Sequence, residues 1–294
     1  MENKMLFKSI LLRISGKKFK KLRSKTRWQD NLQFSNYIKE EICSKNETGV
    51  HGAIRSSCEK LPLKCGISVG SGTGENERNL ITAGLVEKFD LFEVSTDRID
   101  QSKNLAEKAG ISDRFTHNLA DAFTFDFINK YDIVYWEHAL HHMFDVDKAL
   151  EWSVRALKVG GILVVNDYIG PKRLQWRNRE VDIVRKFIFQ NKDVIDVDPR
   201  RVKRGSKFRY FKQFLRDPSE APQSDKIPNA YKKHTGTDMK ILGGSSIHLG
   251  GGFLSGLEKK DPNIHQRLIE LDQYARNQGL SHFAFGLWRK KEES

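Results

Sequence analysis

The chain has 294 residues, with 51 Lys and Arg against 38 Asp and Glu, for a formal charge of +13. Hydrophobic residues make up 38%, enough at this length to build a core without disulfides, which excludes wholesale disorder, a collagen repeat and a coiled coil. No apolar run approaches the roughly 20 residues of a bilayer span, and three cysteines without a CxxC pair (Cys43, Cys58, Cys65) suit a reducing cytoplasm rather than a disulfide framework or a cysteine-rich zinc site.

Residues 1–27 carry ten Lys or Arg against Glu2 alone, interleaved with Met5, Leu6, Ile10, Leu11, Leu12 and Ile14. The stretch reads as a basic amphipathic helix for an anionic membrane surface, peripheral at the inner face, or as a solvated basic tail. Lys8 and Arg13 interrupt its apolar part, so no secretory signal is expected. Residues 28–62 have Trp28, Phe34, Tyr37, Ile38 and Ile42 at irregular helical spacing. From Lys64, short apolar runs alternate with amphipathic helices. Strands are expected at CGISVG, FDLFEV, Phe115–Asn118, YDIVYW (131–136) and ILVVN (162–166), with helices over 75–83, 97–109 and 145–157 and a turn at Gly160-Gly161. This alternation predicts an α/β fold: a doubly wound, mostly parallel sheet with helices on both faces. The alternation breaks over 170–240, where a helix near 179–190 is followed by a basic segment and turns rich in Pro, Ser and Asp. Such a polar insertion is expected to form a substrate-binding cap. A strand over Ile241–His248, a helix over 264–276 and an antiparallel last strand at 282–288 complete the pattern. The expected division is 1–60 as basic segment and helices, and 61–294 as one domain with 171–235 as its inserted cap.

The first strand runs into Gly70-Ser71-Gly72-Thr73-Gly74 and then a helix. Glycines in a strand–turn–helix connection let a ligand approach the backbone, and the helix start offers free N–H groups. Glu93 follows Gly74 by 19 positions at the end of the second strand, placed to accept from ribose hydroxyls. The loop lacks the GxGxxG spacing of a dinucleotide site. Glu75 directly after it is ill suited to a pyrophosphate and harmless beside the sulfonium of S-adenosylmethionine (SAM).

On these residues the sequence resembles the class I, Rossmann-like SAM-dependent methyltransferases over about 60–170. Gly70, Gly72 and Gly74, with Ser71, match the glycine motif. Glu93, Val94 and Ser95 match the ribose-binding strand end, with Ser95 capping the next helix. Asp121 and Ala122 match the acidic motif beside the adenine, and 131–143 and 157–161 match the fourth strand and the turn into the fifth. The resemblance implies SAM as cofactor and S-adenosylhomocysteine (SAH) as its product. The family often has an acid two residues before the first glycine, where this chain has Ser68; Glu137 and His138, past the fourth strand, are candidates to hold the methionine end instead. Asp167–Pro171 with Gln175-Trp176, and Asp217-Pro-Ser-Glu-Ala221, resemble a subgroup that modifies glycans and natural products.

The resemblance implies methyl transfer, most simply to a hydroxyl of a polar small-molecule or glycan-type acceptor, phosphorylated or lipid-linked forms included. A hydroxyl acceptor needs a base beyond the carboxyl ends of the central strands. His141, His142 and Asp167 stand there, with His141 the first choice. Tyr168, Arg201, Arg204, Arg209 and His248 are candidate acceptor contacts. The arginines lie in RRVKRGSKFRYFKQFLR (200–216), which holds eight Lys or Arg and no acid and suits an anionic group. No metal is expected, although His138, His141 and His142 share helical spacing. Two other readings stay open: an RNA methyltransferase, prompted by the charge and set second because no RNA-binding module is recognisable, and a non-catalytic SAM-binding regulatory or scaffold subunit, prompted by Ser68. No DNA partner is expected.

Overall fold

A computed structural model describes residues 27–44, 47–204, 214–215 and 217–292. The basic stretch of residues 1–26 and the core of the second basic segment, Arg209 included, lie outside these. After a 3-10 turn at Trp28–Asp30 come helices α1 (Leu32–Ile42) and α2 (Gly49–Ser57). The alternating part then runs β1 (Leu63–Val69), α3 (Glu75–Thr82), β2 (Val86–Glu93), α4 (Thr96–Lys108), β3 (Phe115–Leu119), β4 (Tyr131–Glu137), α5 (Val146–Ala156) and β5 (Leu157–Tyr168). Helix α6 (Asn178–Gln190), α7 (Ile227–Thr235), β6 (Lys240–Gly243), α8 (Ser245–Gly250), α9 (Ile264–Asn277) and β7 (Phe283–Arg289) follow.

The seven strands lie in the order β3-β2-β1-β4-β5-β7-β6. Strands β1 to β5 pair in parallel, and β7 runs antiparallel to both neighbours. The order reverses between β1 and β4, so their carboxyl ends open a crevice, the usual ligand position in such sheets.

Side-chain alternation sends each central strand into two cores. Ile133, Tyr135, Ile162 and Val164 face one core, with Phe34, Ile38, Ile54, Val184, Ile188 and Leu268 from the helices. Val134, Trp136, Leu163 and Val165 face the other, with Val146 and Leu150 of α5 and Ile227 and Tyr231 of α7. Both faces are therefore covered, which explains why Ile133–Trp136 is a continuous apolar run. The fully buried Trp136 donates its indole N–H to Ser153 Oγ at 2.9 Å, so its polar atom is satisfied within the core.

The structure departs from the sequence reading at four places. The expected strand over Ile241–His248 is only β6, and His248 sits on helix α8. Gly243 and Gly244 both take left-handed φ and end the strand. The buried Asp272 carboxylate then accepts from the N–H groups of Gly244 at 2.6 Å and Ser246 at 2.8 Å, which starts the helix. Strand β5 extends from Leu157 to Tyr168, because Gly160-Gly161 bulges within the strand instead of turning the chain, with a register shift against β4 between Tyr131 and Ile133. Residues 227–235, read as turns, form α7: Pro228 suits its first turn, Gly236 its left-handed end. Ser95 stands at the start of α4 but its hydroxyl makes no capping bond. Among the described residues, no helix is long and apolar enough to cross a membrane.

Candidate active site

The crevice is built from the ends of β1, β2, β4 and β5. Gly70, Gly72 and Gly74 all adopt left-handed φ, and a side chain at Gly74 would strike Ser102 Oγ at 2.7 Å. The loop hangs from the neighbouring strand, with Gly70 N donating to Phe92 O at 2.7 Å. At the end of β2 the buried Glu93 accepts from Val94 N at 2.8 Å, Ser95 N at 3.0 Å and Gly72 N at 2.9 Å. Arg98 stands 3.6 Å away. Ser95 thus contributes its backbone N–H where a side-chain cap was expected. Val94 is partly exposed, and Asp121 fixes the turn before the buried Ala122 by accepting from Phe123 N at 3.0 Å.

Ser68, which stands where relatives often have an acid, donates its hydroxyl to Glu77 Oε1 at 2.6 Å. Glu77 comes from the first turn of α3, is 2% exposed, and was not singled out in the sequence. Its signal was visible: an acid three residues past the last glycine returns to the strand's side of the helix. Beside it on β4, Tyr135 donates to Glu137 Oε2 at 2.9 Å and Asn166 donates to Glu137 Oε1 at 2.8 Å. Burial pushes both carboxyls, Glu77 and Glu137, up to about 7. His138, at a left-handed φ, brings its Nε2 to 3.6 Å from Glu137.

Past β4 the chain makes a 3-10 turn at Leu140–His142, held by Asp167 at the end of β5. One oxygen of Asp167 accepts from the N–H groups of Ala139 at 3.1 Å, Leu140 at 2.7 Å and His141 at 3.3 Å. The other accepts from Tyr168 N at 2.6 Å and from His141 Nδ1 at 2.5 Å. With its proton held on Nδ1, His141 presents Nε2 as an acceptor. Burial works against the charged imidazole, but the Asp167 carboxylate outweighs it and raises the His141 pKa. The same pairing overcomes burial and holds Asp167 below the usual carboxylate range.

A second acid faces the pair: Glu220 Oε1 lies 3.9 Å from His141 Nε2. His142 packs on His141 at 4.2 Å between ring centres, and burial lowers its pKa. One donor atom each of His142, Asp217 and Glu220 lie within 4.8 Å of one another, the one cluster among the described residues that could hold a metal ion. The sequence places 217–221 within the expected cap but singles out neither Asp217 nor Glu220; only the fold brings that loop to the histidine turn.

The remaining predicted residues lie at two distances from this center. Tyr168 is buried, its hydroxyl donates to Pro171 O at 3.1 Å, and its ring bridges His141 at 6.1 Å and His248 at 5.8 Å. His248, with Nδ1 at 3.0 Å from His282 Nδ1, is held down to about 3 by burial and then by His282. Arg201 and Arg204 are exposed; the Arg201 N–H donates to Asp198 O, and Arg204 reaches Asn178 Oδ1 at 3.5 Å. These contacts belong to the α6 side of the molecule.

The donors fit a nucleoside joined to a cationic amino acid: a carboxylate at the end of β2, the buried Ser71 Oγ without a partner, a glycine loop, and buried carboxyls beneath it. Comparison with known proteins agrees. A family model described as "Methyltransferase domain" matches residues 67–165. A 27-O-demethylrifamycin SV methyltransferase of Amycolatopsis mediterranei (strain S699) is 29% identical over 146 residues, 48% of this chain and 53% of that protein. The chain therefore spans about half the length of that curated relative. Among solved structures, Haemonchus contortus phosphoethanolamine N-methyltransferase 2 with SAM is 15% identical and superposes with a TM-score of 0.51, covering 93% of this chain and 61% of that one. The same enzyme with phosphomonomethylethanolamine and SAH is 16% identical with a TM-score of 0.51, covering 92% and 61%. Over residues 67–165 the chain is thus similar to methyltransferase domains, and its strand order is that of a Rossmann-like sheet.

Proposed function

We propose that the protein transfers the methyl group of SAM to a hydroxyl of a polar small-molecule or glycan-type acceptor. The observation that carries this reading is the His141–Asp167 pair at the crevice. The loop and the pair adjoin, since a side chain at Gly70 would lie 3.2 Å from Ala139 Cβ, two residues before His141. When bound, SAM supplies a methyl carbon activated by its sulfonium. His141 Nε2 accepts the proton of the acceptor hydroxyl as its oxygen attacks that carbon, and the C–S bond breaks to leave a neutral sulfide. Asp167 fixes the tautomer and stabilises the imidazolium. The crevice holds donor and acceptor in line, the main contribution required of the protein.

The relative from Amycolatopsis carries O-methylation in its name, which supports oxygen as the methylated atom and a natural product or glycan as acceptor. Glu77, hydrogen-bonded to Ser68, offers a buried carboxylate beside that position, which favours turnover over a non-catalytic reading. We further propose that 171–235 caps the acceptor, that Arg201, Arg204 and Arg209 meet an anionic group on it, and that residues 1–27 give peripheral contact with an anionic membrane from the cytoplasm. The direct test is transfer of radiolabel from methyl-labelled SAM to fractionated glycan, lipid, natural-product and RNA extracts. Label in the first three fractions that His141→Ala abolishes supports the reading. Label in RNA alone, or none in any fraction, overturns it.

A further inference from the structure

Glu77 is a buried acid whose charge the surrounding protein does not balance. Its Oε1 is held by Ser68, and its Oε2 is enclosed without any hydrogen-bond partner. Among the described residues Glu77 has no ion pair. The next residue, Arg78, donates instead to Thr73 O at 2.5 Å. The groups facing Glu77 are Ser68 on β1, Tyr135 and Glu137 on β4, and Arg78 on its own helix. Glu137 faces Tyr135, Asn166, Asp167 and His138. Ser68 and Tyr135 are register partners, and Ser68 holds Glu77 of α3 against the end of β1, so this carboxyl lies beside Glu137 at the end of β4, beneath the glycine loop. A buried carboxylate without a countercharge is costly, and such groups take up a proton or bind a cation.

We propose that Glu77, positioned by Ser68 and acting with Glu137, is the anionic seat for the cationic end of SAM, so that cofactor binding expels a proton from this pair. The inference rests on the SAM reading above and adds a residue and a proton linkage to it. Without cofactor the two carboxyls, each near 7, hold a share of a proton at neutral pH. A cation at the loop favours the ionised form, and the proton leaves to solvent.

Calorimetric titration of the full chain with SAM, in buffers of different ionisation enthalpy, measures that release. The expected result is about half a proton or more released per SAM at pH 7, falling towards none at pH 9, where both groups are already ionised. Glu77→Gln should cut the release by half or more and raise the Kd for SAM about tenfold. It should leave the Kd of adenosine, which has no cationic end, within twofold. Ser68→Asp added to Glu77→Gln returns the acid to the strand and should recover most of the lost affinity.

Equal proton release and a Kd within twofold for folded Glu77→Gln would overturn the proposal while leaving the SAM site intact. Wild-type protein that binds no SAM would instead remove the reading on which it rests. If Glu77→Gln does not fold, Ser68→Ala decides. Loss of that hydrogen bond favours the protonated carboxyl, so proton release at pH 8 should rise and SAM affinity fall; an unchanged titration refutes the assignment.

Discussion

Asp167→Asn is the sharpest perturbation of the proposed chemistry, because it removes a charge and preserves the shape. Asp167 is fully buried and accepts five hydrogen bonds, four from backbone N–H groups and one from His141 Nδ1. An amide turns at least one N–H₂ towards a donor, and a bond to a charged group is worth about 1.5–3 kcal/mol. The variant should therefore unfold about 2–3 kcal/mol more easily at pH 7. The catalytic effect follows from the raised His141 pKa. A raised value means the charged form is favoured, so the neutral base appears only as pH rises through it, and kcat/KM should climb on an acidic limb above the ordinary histidine value of about 6.5. In Asp167→Asn that limb should move to lower pH, because burial of the imidazole is then opposed only by the weaker charges of Glu220 and Asp217. The plateau should drop about 100- to 1000-fold as tautomer control and imidazolium stabilisation are lost. His141→Ala should cost a similar factor, and the double variant little more, since the two residues act as a unit. The assay is initial-rate methyl transfer across pH 5.5–9, with folding checked by thermal melting. A folded Asp167→Asn with an unmoved limb and a plateau within threefold of wild type would refute the assignment of His141 as base.

Glu93→Ala should weaken SAM binding by about 1–3 kcal/mol in calorimetry, through lost charge-assisted bonds. Gly74→Ala should lower the melting temperature and weaken SAM binding, since it forces a left-handed φ and meets Ser102 Oγ at 2.7 Å; an unchanged melt and Kd would contradict the loop geometry. For the cofactor-free protein, Glu77 and Glu137 have folded pKa values raised to about 7. Their contribution to stability is full below the unfolded value of about 4.3 and is lost as pH rises through 7. Urea unfolding at pH 6 and pH 8 should show this loss in wild type and a smaller loss in Glu77→Gln. Charge reversal at Arg201 and Arg204 should raise the acceptor KM and its salt sensitivity should fall, with SAM affinity unchanged; equal KM and salt response would leave these arginines as solvated surface.

The α/β alternation, the central strands and the glycine loop are legible in the sequence alone, because each is a local matter. Period-two and period-3.6 apolar spacing, the left-handed demand at Gly70, Gly72 and Gly74, and the distance to Glu93 all lie within one strand–helix unit. His141 and Asp167 are also legible as strand-end residues, with Asp167 a candidate to orient the histidine. What the tertiary structure decided was every relation across elements. Ser68 looked like a missing acid until α3 folded back and delivered Glu77 to it. His248 looked like a strand end until Asp272, from a helix further along the chain, capped the N–H groups after Gly244 and started α8. Glu220 had no visible role until its loop met the histidine turn. Apart from Ser68 and Glu77, nine residues apart, such partners are separated by tens of residues with no periodicity to link them, and burial, which raises the pKa of Glu77 and Glu137, exists only once the two cores close around the sheet.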